Sequence, residues 1–202
     1  MNTAEYPEAL EALIELLKGL PGVGRRGAER MALAMLRWPD GKLDKLALAL
    51  RELPAAIGRC PECGAWAAAG APCRVCAAPG RDRRLLCVVE EPQQVLTIEK
   101  SGQFRGIYHV LGGRLSPLDG ENGENLAIGL LLERVGRGDI AEVILALSSD
   151  VEGRATAIFL ADLLKDSGVK ITQVASGLPA GANVAYADAA TIGAAFSYRR
   201  EV

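Results

Sequence analysis

The sequence predicts an α/β protein, a multi-element α+β chain that opens with a helical hairpin and closes with a short helical segment. Three observations predict this class. Apolar residues recur at a helical period early in the chain, four cysteines crowd between Cys60 and Cys76, and short β-rich runs alternate with helical periods from Leu85 onward. Such alternation is typical of a largely parallel sheet with right-handed helical crossovers. We therefore divide the chain into residues 1–55, 56–80, 81–170 and 171–202.

The composition describes a globular protein without bulk positive charge. Hydrophobic residues make up 50% of the 202 positions, so the chain can bury a sizeable core. The formal net charge is −2 and the pI is about 5.6. This balance excludes a polycation held to nucleic acid by bulk charge, so any DNA binding must be local.

The sequence carries no segment typical of a membrane-spanning or a secreted protein. No window reaches the roughly 18 uninterrupted apolar residues that a membrane span needs. The N-terminus, MNTAEYPEALEALIELL, opens acidic rather than with a basic region before an apolar one. We therefore expect a cytoplasmic protein.

Three helices are predicted in the first 55 residues. The first spans 6–18 and the second 25–37, because apolar residues recur there near every 3.6 residues. The third spans about 43–53 and is expected to stop before Pro54, since proline interrupts a helix. For the second helix, the residues expected to face inward are Ala28, Met31, Ala32, Met35 and Leu36.

The stretch after the first helix, LPGVGRRGAER, has the composition of a phosphate-binding turn. Gly22 and Gly24 are expected to permit positive φ angles and to let a phosphate approach the backbone without a Cβ atom in the way. The second helix would add its free N–H groups and the positive end of its dipole. Arg25, Arg26 and Arg30 would add charge. The alternative is a plain helical hairpin whose arginines are solvated.

Two C-x2-C knuckles, nine residues apart, contain four of the five cysteines: Cys60, Cys63, Cys73 and Cys76. Such knuckles can present four thiolates to one Zn²⁺ at about 2.3 Å. Four protein ligands leave no open position, so we expect a structural site that orders a segment poor in large apolar residues. Disulfides and unbound thiols are the alternatives. Cys87, in the run LLCVV, is expected to be a small buried apolar residue.

Acidic residues follow two predicted strands of the α/β region. Glu90 comes directly after LLCVV, and Asp150 and Glu152 lie in a turn after a strand that is expected to end near Leu147. The carboxyl ends of parallel strands share one sheet edge, so these carboxylates form a plausible Mg²⁺ site. The only histidine, His109, has no matched serine or cysteine nucleophile and is expected to be an ordinary hydrogen-bonded residue.

Taken together, these motifs resemble those of a known family. LPGVGxxxAxR is similar to the helix-hairpin-helix, which binds DNA non-specifically, although family members often carry Ser or Thr where this chain has Gly27. The acids resemble those of a Toprim domain: Glu90 matches its strand-end Glu, and alignment on Glu152 places its Asp-x-Asp pair on Ser148 and Asp150. The first of these carboxylates is therefore missing. With YHVLGGRLSPLDG, this module order resembles the bacterial RecR family of recombination mediators over essentially the whole chain.

The resemblance implies a non-enzymatic mediator of DNA repair and recombination at the nucleoid. RecR-like proteins form ring-like dimers or tetramers that can encircle DNA, and they act with RecO or RecF to load RecA on gapped DNA. The resemblance places DNA contacts on Arg26 and Arg30, with Arg25 nearby, and partner contacts on Glu90 and Glu152. It makes the four knuckle cysteines zinc ligands and gives the C-terminal segment a role in oligomerisation. No G-x-x-x-x-G-K-[ST] loop occurs, so nucleotide hydrolysis is not expected.

Two other functions stay open on the sequence alone. Glu90, Asp150 and Glu152 would suit a Toprim-type metal-dependent nuclease or primase. The net negative charge would suit a protein scaffold whose hairpin only dimerises. Cleavage or synthesis of DNA with Mg²⁺ would identify the first, and an intact oligomer that fails to bind DNA at low salt would identify the second.

Overall fold

The structure, a computed structural model of the chain, describes residues 6–116, 125–199 and 201. The backbone forms two compact units, Met1–Ala55 and Ala56–Val202, each with its own apolar core. The last four residues of the string YHVLGGRLSPLDG lie outside the described residues. Within the described ranges, no helix is long and apolar enough to cross a membrane.

The first unit begins with two packed helices. Helix α1 (Glu8–Lys18) is followed, after a short turn, by helix α2 (Arg25–Met35). Their shared core consists of Ile14 of α1 with Ala28 and Ala32 of α2, and all three side chains are fully buried. Two alanines four residues apart lie on one face of a helix, and their small size lets the partner helix approach closely. The predicted helical hairpin is confirmed.

The apolar face of α2 is narrower than the sequence predicts. The inward placement expected of Met31 and Leu36 is wrong, since 38% and 67% of their surfaces are exposed. Each residue turns the helix by about 100°, so these two side chains lie on either side of the stripe through Ala28 and Ala32. The stripe that packs against α1 is only wide enough to bury the two alanines.

The third helix is longer than predicted. Helix α3 (Lys42–Ala56) does not stop before Pro54 but continues two residues beyond it, and none of its residues is buried. A proline removes one backbone hydrogen bond and crowds the carbonyl four residues earlier. Because Pro54 lies in the last turn, the helix loses little beyond that one bond and reaches Ala56.

The second unit begins with a small element around the cysteines. Strand β1 (Ile57–Arg59) pairs antiparallel with strand β2 (Trp66–Ala68), and the short helix α4 (Arg74–Ala77) follows. The first knuckle connects the two strands, and the second lies at the start of α4. From residue 57 to residue 80, only the four knuckle cysteines and Ala65 are buried. The element therefore has no large apolar side chain to form a core of its own.

The rest of the second unit is a four-stranded parallel sheet with its connecting helices, as predicted. Its strands are β3 (Asp82–Val89), β4 (Gly106–Val110), β5 (Glu142–Leu145) and β6 (Lys170–Gln173). They lie in the order β4-β3-β5-β6, and every neighbouring pair is parallel. The helices of this region are α5 (Pro92–Ser101), α6 (Ile128–Gly136), α7 (Val151–Leu164) and α8 (Ala189–Ser197). Strand β5 ends two residues before the expected Leu147, which is nevertheless buried.

Alternate side chains of β3 enter two separate cores. Leu86 and Val88 are buried in a cluster with residues of α6 and α7. Cys87 and Val89 belong to a second cluster, which contains the four knuckle cysteines and Tyr108. Because successive residues of a strand face opposite sides of the sheet, the cysteine element covers one of these sides. Cys87 is therefore the small buried residue that the sequence predicts.

Candidate functional site

The turn between α1 and α2 is tight and open to approaching molecules. The Val23 N–H donates to the Leu20 carbonyl over 3.1 Å, and Gly22 has a φ of 77°. Positive φ at the third position of such a turn favours glycine. Gly24 does not use the freedom to adopt a positive φ, since it is extended with a φ of −82°. Apart from chain neighbours, no described atom lies within 4 Å of a Cβ placed on Gly22 or Gly24.

Helix α2 begins without a side-chain cap. Gly24 occupies the capping position and offers no side-chain acceptor. The Ala28 N–H bonds to the Gly24 carbonyl over 3.0 Å, so the preceding N–H groups of Arg25, Arg26 and Gly27 have no acceptor within the helix. Free N–H groups and the positive end of the dipole make a helix start attractive to anions. A Cβ on Gly27 would make only an ordinary van der Waals contact, at 3.8 Å from Val23 Cγ1.

Arg25 joins α1 to α2 by ion pairs. Its Nη1 lies 2.5 Å from Glu11 Oε1 and 3.1 Å from Glu15 Oε1, both on α1. Its Nε lies 2.8 Å from Glu29 Oε1 on α2. Hydrogen bonds to Glu29 and Glu11 raise the pKa of Arg25 above its ordinary value. Among the three arginines expected to contact a phosphate, Arg25 is therefore already bound to carboxylates.

Arg26 and Arg30 differ from Arg25 in having no such partners. Both are exposed, and they lie four residues apart on α2. Within the described parts of the chain, neither side chain takes part in a hydrogen bond or an ion pair. Residues four apart lie on one face of a helix, and Arg26 is in the first turn beside the free N–H groups. The structure thus separates one arginine that links helices from two that are available to an anion.

The four knuckle cysteines meet in one buried cluster. Their Sγ atoms all lie within 4.8 Å of one another, and no disulfide joins them. The Cys63 and Cys73 Sγ atoms are 3.6 Å apart. Thiolates at about 2.3 Å from one tetrahedral metal ion would be about 3.8 Å apart. The donor set therefore fits a tetrahedral metal ion such as zinc, and it leaves no coordination position for a substrate.

The thiol pKa values of this cluster spread apart. A hydrogen bond with Cys76, helped by the other cysteines, lowers the pKa of Cys63 to about 6. The same bond and burial raise the pKa of Cys76, and burial raises that of Cys73. One thiolate forms readily, whereas further negative charges in the same buried site oppose one another. A cation bound between the sulfurs removes this opposition, so metal binding and thiol deprotonation are coupled.

The acids after β3 and β5 bind hydrogen-bond donors of the chain. Glu90 has only 5% of its surface exposed, and its carboxylate accepts bonds from the Ser148 N–H at 2.8 Å and the Ser148 hydroxyl at 2.6 Å. Asp150 caps α7 by accepting from the Gly153 N–H at 2.8 Å. This bond, together with the charge of Arg114, lowers the pKa of Asp150. Both acids thus have structural partners.

Arg114 lies between two of these acids. Its Nη1 is 2.6 Å from Asp150 Oδ2, and its Nε is 2.6 Å from Glu152 Oε2. The Ser116 hydroxyl donates to Glu152 Oε1 over 2.6 Å. Neither donor was predicted from the sequence, although their place in GGRLS, just after β4, is a signal that they belong to the same sheet edge.

The structure does not group these acids as it groups the cysteines. Among the described residues, the four cysteines are the one set of three or more candidate ligands whose donor atoms all lie within 4.8 Å of one another. The Mg²⁺ site expected at Glu90, Asp150 and Glu152 stays a prediction.

His109 is a buried structural residue, as expected. Its Nε2 lies 2.9 Å from the Ala127 carbonyl oxygen, and its Nδ1 lies 3.4 Å from Arg134 Nη1. Burial, reinforced by the charge of Arg134, lowers the pKa of His109 to about 4. The imidazole is therefore neutral near pH 7, with Nε2 donating to the carbonyl and Nδ1 facing the guanidinium.

Comparisons with known proteins cover nearly the whole chain. The matching family models are described as "RecR, helix-hairpin-helix" over residues 10–53, "Toprim domain" over 84–175 and "RecR, C-terminal" over 177–200. The first match contains the hairpin turn, and the second contains the acidic sheet edge.

Three similar curated proteins are each named recombination protein RecR. The one from Bifidobacterium longum subsp. infantis is 44% identical over 196 residues, which are 97% of this chain and 98% of that protein. The one from Moorella thermoacetica is 44% identical over 197 residues, 98% of each chain. The one from Thermobifida fusca is 44% identical over 195 residues, 96% of this chain and 98% of that protein.

Proposed function

The chain belongs to the RecR family of recombination proteins, and from that premise we propose that it is a non-enzymatic recombination mediator that binds DNA without reading its sequence. One observation carries the proposal. Arg26 and Arg30 are exposed beside the uncapped start of α2, and neither has a side-chain partner among the described residues. Both lie within the segment matched as the RecR helix-hairpin-helix.

A DNA phosphate would make three kinds of contact at this turn. The free N–H groups of α2 would donate to phosphate oxygens, Gly22 and Gly24 would leave room for the approach, and Arg26 and Arg30 would supply charge. Phosphate contacts position a protein on DNA but carry no base identity. Binding is therefore expected to be similar on unrelated sequences, and to extend to single strands.

Several copies of the chain would multiply these contacts. One chain has a net charge of −2 and thus no excess of positive charge to hold DNA, whereas several hairpins in one assembly bind together and gain from their high effective concentration. We place the contact between copies in residues 171–202, forming a dimeric or tetrameric clamp. Support comes from the large apolar side chains exposed in the matched RecR C-terminal segment, namely Val184, Tyr186, Phe196 and Tyr198.

Zinc is the metal proposed for the cysteine cluster. Four-coordinate sites made only of thiolates suit Zn²⁺, and the spacing of the sulfurs agrees with such a site. When bound, zinc would cross-link the two knuckles and do no chemistry, because Cys60, Cys63, Cys73 and Cys76 fill its coordination. The role of the four cysteines is then to hold the element against the sheet.

The proposed partners are RecO-like and RecF-like proteins, with which this protein would assist RecA loading onto gapped or single-stranded DNA in the cytoplasm, at the nucleoid.

The two acids assigned to partner contacts differ in their exposure to solvent. Glu90 is buried, whereas about a third of the Glu152 side chain is exposed (31%). A partner docking at this edge would therefore reach Glu152 and not Glu90.

A Toprim-type nuclease or primase is the alternative, and it has less support. Such enzymes need carboxylate oxygens that are free to hold metal ions. Here both oxygens of Glu90 accept hydrogen bonds from Ser148, which stands where the first carboxylate of the Asp-x-Asp pair would be. Both oxygens of Glu90 are therefore held by Ser148 rather than presented to a metal ion.

Anisotropy titrations of the zinc-loaded full chain test the DNA-binding part. The probes are two unrelated duplexes and one single strand, each titrated across a range of KCl concentrations. We expect similar affinities for the duplexes and a linear fall of log K with log salt. A strong preference for one duplex, or an affinity indifferent to salt, would contradict the proposal.

Incubation of labelled DNA with the protein and Mg²⁺ or Mn²⁺ tests the alternative. No cleavage and no synthesis are expected. An activity that Glu90→Ala abolishes would identify an enzyme and overturn the non-enzymatic assignment.

A further inference from the structure

Every carboxylate oxygen of the acidic sheet edge already accepts a bond from a donor of this chain. Glu90, Asp150 and Glu152 present two oxygens each, and every one of them lies 2.6–2.8 Å from a nitrogen or hydroxyl group of this chain. Mg²⁺ and Mn²⁺ are bound by oxygens that act as electron-pair donors to the ion. An ion at this edge would have to share these oxygens with their present donors and approach a fixed positive guanidinium, so the donor set as it stands does not suit it.

Among the described residues, Arg114 is the cation that forms ion pairs with these acids, while Arg154 adds a more distant positive charge near Asp150. Arg114 places Nη1 at 2.6 Å from Asp150 and Nε at 2.6 Å from Glu152. A divalent ion would bridge two carboxylates in the same way, through one oxygen of each. The guanidinium therefore satisfies the same two oxygens and neutralises part of the same charge.

Ser148 adds to this effect at the third acid. The residue stands at the position of the missing carboxylate, so the edge has one negative charge fewer than the full Toprim pattern. Its hydroxyl and its N–H both donate to Glu90, and a hydrogen-bond donor in that place satisfies the acid without a metal. The substitution and the arginine thus act in the same direction.

We propose that Arg114 is the built-in cation of this acidic edge, that the edge consequently takes up no Mg²⁺, and that removing the guanidinium opens it to divalent ions. The opened site would consist of Asp150 and Glu152, whose partly exposed side chains an ion can reach from solvent. Glu90 would stay with Ser148. The inference concerns Arg114 and its two carboxylates, and it does not depend on DNA binding.

Binding of Mn²⁺ to the zinc-loaded full chain tests this inference, with the free ion counted by electron paramagnetic resonance. The wild-type protein is expected to bind no Mn²⁺ at the acidic edge, so the added ion stays free in solution. Arg114→Ala is expected to bind about one Mn²⁺ per chain, with an affinity at least about tenfold above any wild-type binding, because a fixed like charge no longer opposes the ion. Arg114→Lys retains the charge and should behave like wild type. Arg137→Ala, which removes an exposed arginine bound to Glu133 instead, should gain no site.

Two further variants make the test decisive. In an Arg114→Ala background, Glu152→Gln should abolish the gained Mn²⁺ site, which assigns it to this edge. If Arg114→Ala proves unfolded by circular dichroism, Arg114→Gln replaces it and is expected to gain the same site. Saturable Mn²⁺ binding by wild type that Asp150→Asn removes would overturn the inference. A folded Arg114 variant that binds no more Mn²⁺ than wild type would also overturn it.

Discussion

Ser148 donates two hydrogen bonds to the buried carboxylate of Glu90, one from its N–H at 2.8 Å and one from its hydroxyl at 2.6 Å. Glu90 directly follows β3, and Ser148 follows β5, the strand that pairs beside β3 in the sheet. The bonds therefore join the carboxyl ends of two neighbouring strands. Gly153 belongs to the same arrangement, because a Cβ there would collide with the Ser148 carbonyl oxygen.

Replacing Ser148 by Ala should destabilise the protein. The change leaves one oxygen of a buried, charged group without its donor, which costs about 1.5–3 kcal/mol of unfolding free energy. Urea unfolding at pH 7 measures the loss. Ser149→Ala, an adjacent exposed position, is the matched control and should stay close to wild type. Equal midpoints for the two variants would show that the Glu90–Ser148 pair does not contribute.

Arg25→Ala should weaken the packing of α1 on α2 without changing how DNA binding responds to salt. The side chain holds Glu11 and Glu15 of α1 together with Glu29 of α2, and its loss leaves three acids close to one another. The thermal midpoint of the full chain should therefore fall. An unchanged midpoint with a weakened salt dependence would place Arg25 at the DNA instead.

Arg26→Ala combined with Arg30→Ala should give the opposite result. Each lost phosphate contact lowers the magnitude of the slope of log K against log salt by about 0.9, so the double variant should lose about 1.8 for each hairpin that contacts the duplex. The thermal midpoint should hardly move, since neither side chain has a described partner in the fold. Arg37→Ala, an exposed arginine just beyond the far end of α2, is the control and should keep the wild-type slope.

Removal of the metal should disorder the cysteine element. Elemental analysis should find about one zinc per chain, and a chelator should release it. Trp66 reports the change in a Trp38→Phe background, where it is the sole tryptophan, because its ring stacks at 4.2 Å under Arg59 in β1. Cys60→Ser should lose the zinc, whereas Cys87→Ala should retain it. A zinc-free chain with unchanged Trp66 emission would contradict a structural metal.

His109 should make the protein less stable as the pH falls below neutral. Its folded pKa of about 4 lies below the ordinary value near 6.5, so the unfolded chain takes up the proton first. The free energy of unfolding therefore has its full value above about pH 6.5. It falls between about pH 6.5 and 4, by an amount on the order of 3 kcal/mol. Urea unfolding across this range, with His109→Gln as the comparison, measures it. An imidazole that titrates near pH 6.5 in the folded protein, seen by NMR, would refute this.

Local patterns were enough to predict most of the fold. The period of the apolar residues predicted the hairpin and the succession of strands and helices along the chain. The spacing of the cysteines predicted their cluster. Neighbours in the chain determine both features. The width of a buried stripe depends instead on the helix that packs against it. For that reason Met31 and Leu36 were misplaced, and the ion pairs of Arg25 with residues 10 and 14 positions earlier went unseen.

The acidic edge shows the same limit for a functional site. The sequence identified the carboxylates because each follows a strand. It did not identify Arg114, which meets Asp150 across 36 residues of chain. Such a contact follows from sheet order, with β4 and β5 on either side of β3, and no local period reports that order.

The cysteine element shares with α5 the cover of one side of a parallel sheet, and such sheets need cover on both sides. Cys87 and Val89 owe part of their burial to this cover. With zinc as the proposed metal, a cell short of it would make chains whose sheet exposes additional apolar surface on this side, and chaperones and proteases would remove such chains. The abundance of this protein, and with it the capacity for recombination, would then follow the zinc supply of the cell.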